Sequence, residues 1–131
     1  MDEPRRVMCV EDDADIRMIL EFSLHKLGGF ELCLCASGQE ALDQVATFAP
    51  DLVLLDVMMP GLSGPQTLAL LRKMPVMRGV PVVFLTAKAM LNEVEELLQQ
   101  GATGLIVKPF DPVKLPENVR FYWQHGRGAR S

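Results

Sequence analysis

Four apolar runs, far apart in the chain, each close on a group able to do chemistry. They are Val10-Glu11-Asp12-Asp13, Leu55-Asp56-Val57-Met58-Met59-Pro60-Gly61, Phe84-Leu85-Thr86-Ala87 and Ile106-Val107-Lys108-Pro109-Phe110. The order is acid, acid, hydroxyl, ammonium. Carboxylates that converge repel one another unless a hard cation sits between them, and Mg²⁺ favours such oxygen ligands. A hydroxyl and a lysine beside that cation would complete a pocket for a phosphoryl group. Convergence of this kind requires four strands that end at one edge of a parallel sheet.

The apolar pattern supplies such strands. Val7 to Val10 is a short apolar run, followed by Ile16, Ile19, Leu20, Leu24 and Leu27 at helical spacing, which predicts a helix over Ala14 to Leu27 closed by Gly28-Gly29. Phe30 to Cys35 reads as a strand, and Ser37 caps a helix that runs to Phe48 and is broken by Pro50. Asp51 to Asp56 is a strand apolar on both faces. Met59 to Gly64 is loop by its turn residues, and Pro65 opens a helix to Met74, stopped by Pro75. Val82 to Leu85 is the fourth strand, Ala87 to Gln100 a helix, and Gly104 to Val107 the fifth strand. A last helix is expected from Pro116 to His125.

Near-continuous apolar strands alternating with helices predict an α/β protein with a doubly wound parallel sheet, covered on both faces. Right-handed crossovers place every strand C-terminus on one edge. In the flavodoxin-like (βα)₅ arrangement, with strand order 2-1-3-4-5, the crevice lies between strands 1 and 3. Those are the strands that end in Glu11-Asp12 and Asp56.

With 131 residues, 49% hydrophobic and 23% charged, the chain suits one globular domain, here residues 1–125, with residues 126–131 a flexible tail. No apolar run approaches the roughly 20 residues of a membrane span, so no membrane contact is expected. A net charge of −4 argues against direct contact with nucleic acid. Cys33 and Cys35 alternate with leucines on one strand face, and with Cys9 they read as buried thiols acting as small hydrophobes. Free thiols and the lack of a signal sequence fit a cytoplasmic setting.

The four segments fall in the order and spacing of the receiver domain of two-component response regulators, which the chain resembles over residues 5–125. The resemblance implies that Asp56 is the phosphoacceptor, taking a phosphoryl group from a phosphohistidine of a sensor histidine kinase or histidine phosphotransfer protein. It implies Mg²⁺ as cofactor, bound by Asp12, by Glu11 through water, by Asp56, and by the Met58 backbone carbonyl. Three carboxylates without the metal should raise one another's pKa. Thr86 would hydrogen-bond a phosphoryl oxygen and Lys108 would pair with it, the peptide before Pro109 being cis. Thr86 also reads as a cap for the helix that follows, and Asp13 as the N-cap of the first helix. Met58 and Lys88 flank the site at positions that influence phosphoryl lifetime in the family.

The signal is expected to leave through the surface of helix 4, strand 5 and helix 5, toward an unknown downstream protein or a homodimer partner. No output domain follows, so the chain reads as a stand-alone receiver or as one cut from a larger protein. Leu105 departs from the family, where an aromatic often stands three residues before the lysine and links the site to that surface. On the last helix, Leu115, Val119 and Tyr122 share one face with Trp123 at its margin, read as an edge-packed aromatic or as a contact residue. Two alternatives compete with the switch. A scaffold that binds without phosphorylation draws on Leu105. A haloacid-dehalogenase-type phosphatase would want a second acid where Met58 stands.

Overall fold

The computed structural model describes residues 3–87 and 93–128. Five strands form one parallel sheet: β1 (Arg6–Val10), β2 (Glu31–Cys35), β3 (Leu52–Asp56), β4 (Val82–Ala87) and β5 (Gly104–Lys108), in the order β2-β1-β3-β4-β5. The register pairs Val10 with both Cys35 and Leu55, Asp56 with Leu85, and Ala87 with Lys108. The chemistry-bearing ends of β1, β3, β4 and β5 therefore meet along one edge, as the flavodoxin-like reading expected.

Strand alternation divides the core into two layers. Met8, Val10, Val53, Leu55 and Phe84 face α2 (Gly38–Phe48), α3 (Gly64–Leu71) and α4 (Val94–Gln99) through Ala41, Val45, Leu68, Leu71 and Leu97. Val7, Cys9, Leu52, Leu54, Val83 and Leu85 face α1 (Ala14–Leu20) and α5 (Leu115–Gly128) through Leu20, Leu24, Leu115, Val119 and Trp123. Every residue of β3 is buried, which is why that strand reads as apolar on both faces.

Several elements differ from their sequence expectation. The first helix changes pitch at Glu21 and continues to Leu27 as π-helix. The wider turn carries Ser23 inward, where its hydroxyl, fully buried, donates to the Pro112 carbonyl at 2.5 Å. α3 stops at Leu71, not Met74, and a 3₁₀ turn over Pro75–Met77 leads toward β4. Arg72 closes this corner by donating to the Met77 and Val80 carbonyls at 3.2 and 2.8 Å.

The last helix starts at Leu115 and runs to Gly128, so residues 126 to 128 belong to it rather than to a tail. A side chain at Gly126 would meet Thr103 at 2.5 Å, so the helix end lies against the β5 approach. Trp123 is a core residue, 4% exposed, while Phe121 is 53% exposed. Tyr122 lies between them, half-buried. Helix 4 is described from Val94 onward; Ala87, its expected start, is instead the last residue of β4, and residues 88–92 lie outside the described residues.

Candidate functional site

Glu11 directly follows β1, in the turn that leads to α1. Asp13 caps that helix as expected, accepting from the Asp15 and Ile16 amides at 2.8 and 3.2 Å. The same turn aims the Asp13 amide at Glu11 Oε2, 3.1 Å away, while Arg17 donates to the Glu11 carbonyl at 2.7 Å. Glu11 is thus fixed from both its side chain and its backbone. Asp12, next to it, is exposed.

Asp56 closes β3 and is 3% exposed. The turn beyond it is held by Gly64, whose amide donates to the Val57 carbonyl at 2.9 Å. A Cβ at Gly64 would lie 2.3 Å from the Asp56 carbonyl oxygen and 2.8 Å from the Val57 Cα. Only glycine permits α3 to start this close to the strand end. Ser63 caps α3 reciprocally with Gln66, at 3.2 and 3.0 Å. The sequence marked this segment as a turn, but the close approach of Gly64 to Asp56 becomes visible only in three dimensions.

Lys108, at the end of β5, reaches across β4 to join the acids. Its Nζ donates to Asp56 Oδ1 at 3.1 Å and to Glu11 Oε1 at 3.2 Å. One oxygen from each of Glu11, Asp12 and Asp56 lies within 4.8 Å of the others. Burial, reinforced by Asp56, pushes the Glu11 carboxyl up to about 7, against the opposing pull of the Asp13 amide and Lys108. Burial also raises Asp56, with Asp12 adding to the effect and Lys108 opposing it. Desolvation, rather than mutual repulsion, is the leading cause of both shifts. Burial alone would lower the Lys108 ammonium, but Asp56 and Glu11 more than offset this and raise it.

The charge balance points to what the cluster accommodates. With all groups ionised, three carboxylates and one ammonium leave two negative charges, and two of the carboxylates, Glu11 and Asp56, are buried. A divalent cation with oxygen preference matches that deficit in charge and donor type.

Thr86 is the penultimate residue of β4, within the strand rather than a helix cap, and is fully buried; among the described residues its hydroxyl reaches only the Ala87 carbonyl, at 3.4 Å. Met58, two residues past Asp56, is 66% exposed. Lys88 lies outside the described residues. The Lys108-Pro109 peptide is cis, as expected. Leu105 packs against the core layer of α2, α3 and α4. Tyr122, from α5, donates to its carbonyl at 3.1 Å and fills the space above Gly104, where a Cβ would lie 2.2 Å from the ring.

A cleft of about 580 Å³ lies at the opposite edge of the sheet, between Glu3-Pro4-Arg5, Gly28 to Glu31 and Arg120. Its two arginines and two glutamates cancel in charge. Arg120 is already engaged there, stacked 4.8 Å over Phe30 and donating to the Gly28 carbonyl at 2.8 Å. The chemistry is concentrated at the carboxyl edge.

Comparison with known proteins agrees with this geometry. The sequence model of the response regulator receiver domain matches residues 7–120. The chain is 40% identical over 116 residues to the DNA-binding response regulator MtrA of Mycolicibacterium paratuberculosis, covering 88% of this chain and 50% of that protein. It is 37% identical over 120 residues to the response regulator Rre1 of Synechocystis, covering 92% of this chain and 52% of that one. The chain thus spans about half the length of these curated relatives. Among solved structures, the chemotaxis protein CheY4 of Vibrio cholerae superposes with a TM-score of 0.84 at 29% identity, over 90% of this chain and 98% of that one. The receiver domain of the Francisella response regulator 1452 gives 0.81 at 27% identity, over 92% and 98%.

Proposed function

The chain belongs to the response regulator receiver domain family, and on that premise we propose that it is a phosphoacceptor switch in which Asp56 takes a phosphoryl group from a phosphohistidine. The observation that carries this reading is the Asp56 carboxylate. It stands buried at the end of β3, 3.1 Å from Lys108 Nζ and clustered with Glu11 and Asp12. The family is one of signalling domains rather than conventional enzymes, and Met58 stands where a phosphatase of the haloacid-dehalogenase type would carry its second acid.

In the proposed reaction an Asp56 carboxylate oxygen attacks phosphorus. The new O–P bond forms as the P–N bond to the donor imidazole breaks, and the imidazole leaves with its electron pair. Lys108 already points its ammonium at Asp56 and shifts to a phosphoryl oxygen as the charge moves there. The Thr86 hydroxyl, which among the described residues makes only a long contact to its neighbour's carbonyl, is positioned to donate to a second phosphoryl oxygen. That donation would draw β4 and the chain after it toward the site, biasing a two-state equilibrium at the surface of α4, β5 and α5.

Glu11, Asp12, Asp56 and the Met58 backbone carbonyl are the groups assigned to Mg²⁺. When bound, the ion neutralises the carboxylates and the incoming phosphoryl charge. The phosphodonor is a sensor histidine kinase or a histidine phosphotransfer protein. The altered surface addresses a downstream protein or a second copy of the chain.

Intact-protein mass after incubation with acetyl phosphate tests the reading. A single phosphoryl adduct should appear with Mg²⁺, disappear with EDTA and be absent from Asp56→Asn. Failure of both acetyl phosphate and a phosphohistidine protein to modify the chain would leave the phosphorylation-independent scaffold as the reading.

A further inference from the structure

We propose that Cys33 and Cys35 form a reversible oxidation site, closing to a disulfide when a peroxide oxidises the Cys33 thiol. The two sulfurs lie on the same face of β2, 3.9 Å apart. Cys35 is fully buried and Cys33 is half-buried, so the pair has one sulfur that solvent reaches and one shielded beside it. This differs from the sequence expectation of three buried thiols. Cys33 also contacts the exposed Gln44, its Sγ lying 3.0 Å from Oε1. Cys9 lies on the opposite face of the sheet, among the residues packed on α1 and α5, and takes no part.

The strand permits closure. A parallel strand rises about 3.3 Å per residue, so Cα atoms two residues apart are about 6.6 Å apart. That is near the upper end of the roughly 4.4–6.8 Å that a disulfide spans. A disulfide also holds its Cβ atoms about 3.5–4.5 Å apart, so closure draws the strand out of its extended form at Leu34, by about 2 Å. β2 is an edge strand, paired with β1 alone, so its bending disturbs one ladder and not two.

The chemistry balances with peroxide as oxidant. The Cys33 sulfur attacks one peroxide oxygen, the O–O bond breaks, and the departing hydroxide leaves as water with the thiol proton. The Cys35 sulfur then attacks the Cys33 sulfenic acid. The S–S bond forms as the S–O bond breaks, and the hydroxide leaves with the Cys35 proton as a second water. Exposure sets the order of events: Cys33, the sulfur that solvent reaches, is oxidised first, and the shielded Cys35 closes the bond second.

The site is coupled to the carboxylate cluster through one hydrogen bond. The Glu11 amide donates to the Cys35 carbonyl at 2.9 Å, directly beyond the Val10–Cys35 register pair. Drawing the two sulfurs together shifts the Cys35 carbonyl and loosens the Glu11 backbone at the end of β1.

The test begins with the full, reduced chain, one equivalent of hydrogen peroxide, alkylation under denaturing conditions and mass spectrometry. The expected product has lost two hydrogen atoms and carries one alkyl group, mapped to Cys9. It regains three alkyl groups after dithiothreitol, and neither Cys33→Ser nor Cys33→Ala forms it. Three alkylated cysteines, an oxygen adduct left on Cys33, or a dimer cross-linked through Cys33 would each overturn the site. Amide exchange at Glu11 should quicken several-fold in the oxidised protein and recover on reduction. An unchanged rate would overturn the coupling. Neither readout depends on phosphorylation, so the outcome is separable from that of the proposed switch.

Discussion

Lys108 holds two carboxylates at once, and its removal should be felt in both. Charge-assisted hydrogen bonds of this kind contribute about 1.5–3 kcal/mol each. Lys108→Ala should therefore slow modification of Asp56 by acetyl phosphate about tenfold to a hundredfold, read as the rate of adduct formation by mass. A rate unchanged within twofold would remove Lys108 from the proposed mechanism. Glu11 makes a second residue-level prediction. Its carboxyl rises from 4.5 to about 7 on folding, so the folded state binds its proton more tightly than the unfolded chain does. Asp56 shifts in the same sense. Folding stability in EDTA should therefore fall as the pH climbs from about 4.5 to about 7, then level off, since each carboxyl ionises more easily once unfolded. Urea melts across that range check the slope, and Glu11→Gln should flatten it. A wild-type slope of the opposite sign would show that Lys108 outweighs burial.

At the scale of elements, the strand-to-helix turn after β3 sets where Asp56 sits. Gly64 touches the Asp56 backbone so closely that a single methyl group must displace it. Gly64→Ala should destabilise the fold by about 1–3 kcal/mol through overpacking and also slow acetyl phosphate modification. Ser63→Ala removes the reciprocal cap one residue earlier, at a cost of about 1 kcal/mol, and leaves the Asp56 backbone alone. The pair separates loss of helix stability from misplacement of the acid. If both variants lost stability and kept the wild-type modification rate, the close approach would be packing alone. α5 shows a different relation between element and site. Its Tyr122 covers Gly104 and bonds to Leu105, so the aromatic ring on this side of β5 is supplied by the helix rather than by the strand.

For the molecule as a whole, the site is a local surplus of negative charge joined to four strand ends. A ligand that binds only the folded state stabilises it, by about 2.7 kcal/mol at a hundred times its dissociation constant. Mg²⁺ should accordingly raise the melting temperature, by an amount that grows with the logarithm of its concentration above the dissociation constant, and Asp12→Asn should weaken the increment. Equal increments in the wild type and in the Asp12→Asn, Asp56→Asn double variant would place the ion elsewhere. Because β1, β3, β4 and β5 all contribute to one edge, the increment belongs to the whole sheet and not to a single loop.

Residue order alone determined much of this protein. The apolar runs mark five strands, and the groups that close four of them are Glu11, Asp12, Asp56, Thr86 and Lys108. This was legible because a strand buried on both faces needs an uninterrupted apolar run, and the acid, hydroxyl or amine at its end stands out. Caps at Asp13 and Ser37 were legible for the same local reason: a short polar side chain bonds an amide two or three residues ahead. Other features depended on neighbours distant in sequence. The bridge from Lys108 to Glu11 joins residues 97 apart, and Gly64 matters because of where the Asp56 backbone passes. Trp123 became core, and α5 ran on to Gly128, because the sheet and Thr103 offered surfaces to pack on. Ser23 turned inward because the Pro112 carbonyl, 89 residues away, accepts its hydroxyl. Local pattern specifies which elements form. Close approach between elements is decided by their packing, and that approach gives the site its charge balance.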